Sequence, residues 1–152
     1  MKTSKEGIDL IKRFEGFEPK AYLCPADVPT IGYGATYYPS NGNKVKLTDR
    51  EITEQYAELL LADMLVHYEK GVMRYVTSKL SQFQFDALVS FAYNLGLGSL
   101  KTSTLLKRVN ANPNDKDISY QFSRWNKAGR KVLSGLTRRR KDEARLYFKE
   151  IV

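Results

Sequence analysis

The sequence has few of the residues that staple, ligate or anchor a chain. It holds one cysteine, Cys24, and one histidine, His67. A single thiol cannot close an internal disulfide, so the fold is not expected to depend on an oxidising compartment. One His and one Cys far apart in sequence do not make a zinc site. No metal and no cofactor is expected. No apolar run approaches the ~20 residues of a transmembrane helix. The first residues, Met1-Lys2-Thr3-Ser4-Lys5-Glu6-Gly7, lack the apolar core and cleavage site of a secretory signal. The expectation is a chain made and folded in the cytoplasm. There is no repeat, linker or low-complexity stretch. Gly32-Tyr33-Gly34 lacks the third glycine of a dinucleotide-binding turn.

What is present is an ordinary globular composition, 42% hydrophobic and 28% charged over 152 residues. That length suits one domain, or one domain with two lobes, and can bury a core without staples. The net charge is +8 and is localised. Residues 124–149 carry ten Lys/Arg against Asp142 and Glu143, and the rest of the chain cancels. A basic face of this kind implies an anionic partner without choosing one. The run Arg138-Arg139-Arg140 reads as a solvated face near a helix start rather than a nucleic-acid site.

Apolar periodicity predicts a first helix over about Ser4–Glu15, with Ile8, Ile11 and Phe14 on one face. Thr3 and Glu6 form a candidate capping box, and Gly16 a stop. From Phe17 to Leu47, Pro19, Pro25, Pro29 and Pro39 exclude a continuous helix. Thr30–Gly34 and Thr36–Tyr38 read as short strands, and Ser40-Asn41-Gly42-Asn43 as a turn. A second capping box, Thr48 to Glu51, is expected to open a long helix continuing past Met64 towards Glu69. A third, Ser81 to Gln84, opens an apolar helix ended by Gly96. Further helices are expected at about 100–109, 118–125 and 137–149.

Chemistry is concentrated between Glu15 and Gly34. Glu15 ends the first helix, where the helix dipole disfavours a second negative charge. That favours the protonated carboxyl a general acid needs. Cys24 and Thr30 follow after eight and five intervening residues. A thiol and a hydroxyl facing a carboxylic acid can hold a water. Read singly, Cys24 is equally a small buried apolar residue and Thr30 a β-former. Asp27, the one carboxylate between Glu18 and Asp49, is an alternative base if its loop folds inward, or else a turn residue before Val28-Pro29. The rings of Tyr33, Tyr37, Tyr38 and Tyr93 could stack on sugars or simply pack.

The Glu15–Cys24–Thr30 spacing resembles the catalytic signature of phage-type lysozymes, glycoside hydrolase family 24, whose middle position is Asp in some members and Cys in others. Phe14-Glu15-Gly16-Phe17, Ala21-Tyr22 and Thr30-Ile31-Gly32-Tyr33-Gly34 agree with it. So do the stretch from Gln84 to Gly96, Phe122-Ser123-Arg124-Trp125 and Gly135-Leu136-Thr137-Arg138-Arg139-Arg140. Two positions depart from the family: Ala35 stands where His is common, and Gly129-Arg130 where Gly-Gly is common.

The resemblance implies an α+β, lysozyme-like two-lobed fold within a single catalytic domain, 1–152. Its small antiparallel sheet lobe, about 17–47, would face a helical lobe, about 70–152 plus the N-terminal helix, across a cleft, joined by a long helix. It implies an endolysin muramidase cutting β-1,4 bonds between N-acetylmuramic acid and N-acetylglucosamine, by inversion, for host cell lysis. Glu15 would be the acid, and Cys24 and Thr30 would position water. Tyr33, Gly34, Tyr93, Asn94 and Ser103 are the candidate substrate-binding residues. The expected partner is the peptidoglycan glycan strand, with electrostatic contact to the anionic envelope through residues 124–149. Nucleic acid is not expected, and a monomer is. The protein would wait in the host cytoplasm for release through a holin-type membrane pore. Two other classes compete: a lytic transglycosylase, which leaves 1,6-anhydro ends, and a non-enzymatic basic binding module.

Overall fold

The computed structural model describes residues 1–150; Ile151 and Val152, at the end of the expected domain, lie outside the described residues. The chain divides into two compact units, Ile11–His67 and Met1–Leu10 with Tyr68–Val152. The divisions fall inside two helices, α1 (Lys5–Glu15) and α2 (Glu54–Tyr75).

In the unit Ile11–His67, strands β1 (Glu18–Leu23) and β2 (Pro29–Gly32) pair antiparallel, with Tyr22 opposite Thr30 and Leu23 opposite Pro29. The small sheet is where it was expected, and β2 covers the first part of the strand expected at 30–34, but its partner β1 was not expected. β1 is exposed at every position except Ala21, so it shows no apolar alternation to read. Thr36–Tyr38 is no strand; it contributes one isolated bridge, Tyr37 to Lys44. At the end of β2, Ile31 and Ala35 exchange both backbone hydrogen bonds at 2.9 Å around Gly32-Tyr33-Gly34. Gly32 and Gly34 take φ of +68° and +86°, a conformation that favours glycine, and Tyr33 is thereby turned into the core at 4% exposure. The expected turn at 40–43 forms: Asn43 N–H donates to Asn41 Oδ1, and Gly42 N–H to Tyr38 O. Ile11, Ile31, Ala35, Val45, Ala57, Leu61 and Leu65 make this unit's core.

The second helix starts later than expected. Asp49 is taken by the Tyr38 hydroxyl and the Lys46 N–H, at 2.7 and 2.9 Å. Ile52 N–H donates to Pro19 O beside β1. Only then does Thr53 accept from Tyr56 N–H and cap α2. The proposed box at Thr3 and Glu6 also gives way, because Thr3 N–H and Oγ1–H both donate to Glu69 at 2.7 Å. Ser4 then binds Asp86 and Glu6.

In the other unit, α3 (Gln82–Leu95) is buried from Gln84 to Ala92, as a helix apolar on most sides requires. Its capping box is complete: Ser81 Oγ accepts from Gln84 N–H, and Ser81 N–H donates to Gln84 Oε1. The single helix expected at 100–109 is two, α4 (Leu97–Thr102) and α5 (Thr104–Ala111), broken at Ser103. Then come α6 (Asp117–Ser123), a short hairpin β3 (Lys127–Ala128) and β4 (Lys131–Val132), and α7 (Ser134–Tyr147). The hairpin turns through Gly129-Arg130. α7 packs on α3 and α6.

The arginine run corrects the sequence reading. Arg139 and Arg140 are 3% and 0% exposed. They clasp Glu143, itself fully buried: Arg140 Nε lies 2.8 Å from Oε1 and Arg139 Nε 3.2 Å from Oε2. Ser90 Oγ–H also donates to Oε2, at 2.5 Å. Only Arg138 of the three lies on the surface. At that end of α7 the arginines anchor two helices rather than form a solvated face.

Candidate functional site

Glu15 is the last residue of α1 and is half-buried. Gly16 follows with its N–H donating to Lys12 O at 2.9 Å and φ +72°, so the helix stops there and the chain turns into β1. The last turn of α1 is tied to the first turns of α2. Lys12 Nζ pairs with Glu58 at 2.8 Å and lies over the Tyr33 ring, 5.4 Å from its centroid. Tyr33 Oη–H donates to Glu54 Oε2 at 2.7 Å.

Cys24 follows β1 at the mouth of the hairpin loop and is half-buried. Its N–H donates to Val28 O at 3.1 Å, and its carbonyl accepts from Asp27 N–H at 2.8 Å. Asp27 closes this turn in the left-handed region, φ +59°, which Asp tolerates better than most residues. The turn aims backbone N–H groups at the thiol. Those of Val28 and then Ala26 hold Cys24 below the usual thiol range, with the Thr30 hydroxyl adding to them. Thr30 is buried on β2, and its Oγ1 donates to Val28 O at 2.8 Å. The hairpin therefore brings Cys24 and Thr30 together, and the backbone around them favours an anionic sulfur. Asp27 is exposed and serves the turn.

Tyr22 was not singled out from sequence. It stands opposite Thr30 across the strand pair. Burial pushes its phenol up, and Glu18, Glu15 and Cys24 push it further. Tyr22 thus feels both Glu15 and Cys24. Its pairing with Thr30 depends on β1, whose exposed residues show no alternation to read from sequence.

The other candidates divide. Tyr33 packs against Phe17 at 5.7 Å and under Lys12, which at 4% exposure leaves no ring face for a sugar. Gly34 is half-buried in the loop that turns Tyr33 inward. In the other unit, Tyr93 meets Tyr68 edge-on at 5.2 Å. Asn94 Oδ1 accepts from Arg140 Nη2 at 2.7 Å. Ser103 is spent on the break between helices: its Oγ accepts from Leu106 N–H and donates to Leu100 O. Beside it a pocket of about 320 Å³ is lined by Thr102, Ser103, Thr104, Arg124 and Trp125. His67 is exposed on α2. Among the described residues no group of three His, Cys, Asp or Glu could hold a metal ion.

The phage lysozyme family model matches residues 12–143. The chain is 45% identical to an endolysin of Bacillus phage B103 over 97% of its own length and 54% of the relative's. It spans about half the length of that relative and of the endolysin of Bacillus phage PZA. Among solved structures it resembles an endolysin from Escherichia coli O157:H7 phage FAHEc1, with 36% identity and a TM-score of 0.90 over 99% of this chain and 96% of that one. It also resembles the muramidase domain of SpmX from Asticaccaulis excentricus, with 33% identity and a TM-score of 0.85 over 98% of this chain and 99% of that one.

Proposed function

This chain belongs to the phage lysozyme family, and we propose that it is the catalytic domain of an endolysin, a bacteriolytic muramidase. Its substrate would be the β-1,4 bond between N-acetylmuramic acid and N-acetylglucosamine in peptidoglycan. The relatives' names, endolysin and muramidase domain, support that reading. The observation that carries it is the β1–β2 hairpin, which sets Cys24 beside Thr30, next along the chain from a carboxylic acid at a helix end.

Glu15 protonates the glycosidic oxygen as the bond breaks. A water held by Cys24 and Thr30 attacks the anomeric carbon from the opposite face, with inversion. The Cys24 sulfur, held towards its anionic form, accepts a hydrogen bond from that water, and the proton the water releases on attack passes to bulk solvent. The oxocarbenium-like transition state needs little nucleophilic push, so a carboxylate base is not required.

Replacement of Cys24 tests this directly. Cys24→Asp keeps an acceptor in the same turn and is expected to retain substantial activity, while Cys24→Ala loses most of it. Rates of sacculus hydrolysis distinguish the two. Full activity in Cys24→Ala would point to Asp27 instead, and a glycosyl–thioether adduct found by mass spectrometry would replace water-holding with covalent catalysis.

Partners and location follow as part of the same proposal. The domain acts as a monomer on glycan strands, is stored in the host cytoplasm and reaches the wall through a holin-type pore. No helix among the described residues is long and apolar enough to cross a membrane. Attraction to the anionic envelope rests on the surface cations of residues 124–149. Lys127 and Lys131, exposed on the β3–β4 hairpin, are the residues to alter, because Arg139 is a core residue. Exposed charges act over about a Debye length, ~8 Å at physiological salt. Lys127→Gln with Lys131→Gln is therefore expected to slow clearing of permeabilised cells at low salt, as added NaCl does. Cleavage of a neutral chitooligosaccharide should change little. Equal losses on both substrates would place these lysines in the catalytic machinery.

A further inference from the structure

We propose that the groove between α6 and α7 is a binding site for one anionic phospholipid, with the phosphate at Lys116, Lys141 and Arg145 and the first part of an acyl chain over Ala144 and Phe148. The site goes beyond glycan hydrolysis and does not depend on it, because none of Glu15, Cys24 and Thr30 takes part.

Residue spacing builds the groove. Lys116, Ser119 and Ser123 are three and four residues apart, which puts them on one face of α6. Thr137, Lys141, Ala144, Arg145 and Phe148 keep the same spacing along α7. The two helices pack together, and a cavity of about 870 Å³ opens between these faces. It lies within the unit that contains Tyr68–Val152. Its volume falls in the range of small-molecule sites, ~300–1,000 Å³.

The charge of the groove has one sign. No carboxylate lines it. The acids of both helices are committed elsewhere: Asp117 meets Arg108 at 3.2 Å, and Glu143 is buried against Arg139 and Arg140. Asp142 reaches Arg145 only at 3.5 Å, and the arginine side chain is 69% exposed, so that pair contributes little. Arg140 closes the floor, held by Glu143 and Asn94. Lys116, Lys141 and Arg145, all exposed, are the cations placed to meet an anion.

Between these cations the lining is mostly apolar. Phe148 remains 36% exposed even though its ring packs edge-on against Tyr147 at 4.9 Å. The stems of lysine and arginine add methylene surface below their charged ends. A cationic rim over an apolar floor matches a phosphate joined to an alkyl chain. An inorganic anion would leave the floor unused, and a neutral apolar molecule would leave the cations unused.

Titration of the protein with dihexanoylphosphatidylglycerol, kept monomeric below its micelle concentration and followed by amide chemical shifts, tests the site. The expected result is saturable one-to-one binding with shifts centred on Ser119, Lys141 and Phe148. Dihexanoylphosphatidylcholine and inorganic phosphate should bind at least about tenfold more weakly. Lys141→Gln with Arg145→Gln should lose about tenfold in affinity for the anionic lipid. Ser119→Phe fills the groove and keeps every charge, and it should lose as much. Lys127→Gln with Lys131→Gln removes equal charge outside the groove, and its affinity should stay within about twofold of wild type. Absence of saturable binding, or shifts centred elsewhere, overturns the proposal. So does equal affinity for the choline lipid or for phosphate alone, unchanged binding in Ser119→Phe, or an equal loss in the Lys127 and Lys131 variant.

Discussion

Glu15→Gln is expected to lower turnover on peptidoglycan by at least about 10²-fold, and by up to about 10⁴-fold, the usual contribution of general acid–base catalysis. Gln keeps the shape of the side chain and removes its transferable proton. The glycosidic oxygen then leaves unprotonated, at a cost that sugar binding cannot offset. Fold stability should move the other way or stay level. Gln fills the same space at the carboxyl end of α1 and brings no charge that the helix dipole would oppose. The turn at Gly16 and the Lys12–Glu58 pair are untouched. Activity falling while Tm holds or rises is the signature of a residue kept for chemistry. Turnover within threefold of wild type would remove Glu15 from the mechanism.

Glu143→Gln is expected to have a large effect on stability. Burial pushes the Glu143 carboxyl up, while Arg140 and Arg139 pull it down. The neutral amide keeps the volume but leaves two buried guanidinium groups without their shared counter-charge. Breaking a buried ion pair from one side costs about 3–5 kcal/mol, because an uncompensated charge remains. Urea denaturation should show the midpoint falling with little change in slope. A loss under about 1 kcal/mol would mean that α3 and α7 are held by apolar packing alone.

That cluster also shows where sequence reading fails. Three consecutive arginines near a helix start look like a solvated face, and only the side of α7 that meets α3 decides that two of them are core. The capping boxes make the same point. Ser81–Gln84 forms as written, because the further partners of Gln84, Pro113 O and Asn114 Oδ1, take its amide nitrogen and leave its oxygen to the cap. Thr3 and Thr48 offer the same pattern, but Glu69 claims Thr3, and the segment after Thr48 is committed to Tyr38, Lys46 and Pro19 before the helix can start. β1 was missed because five of its six residues face solvent.

For the candidate site, residue spacing pointed to Glu15, Cys24 and Thr30. It carried no information on the backbone N–H groups around Cys24. Those depend on a left-handed residue at Asp27 that no pattern announces. The family resemblance offered Tyr33 and Ser103 as sugar ligands, whereas the structure commits the Tyr33 ring to packing and the Ser103 hydroxyl to capping α5. Side chains that can bind a sugar can equally close a loop or cap a helix, and only tertiary partners show which use is made.

End-group analysis of the fragments released from purified sacculi bears most directly on the proposed reaction. Hydrolysis places the elements of water across the bond and leaves reducing N-acetylmuramic acid ends, whereas a transglycosylase leaves 1,6-anhydro ends. Wild-type protein is expected to release fragments ending in reducing N-acetylmuramic acid, and Glu15→Gln essentially none. Fragments with 1,6-anhydro ends, reducing N-acetylglucosamine ends, or no release by the wild type would contradict the assignment.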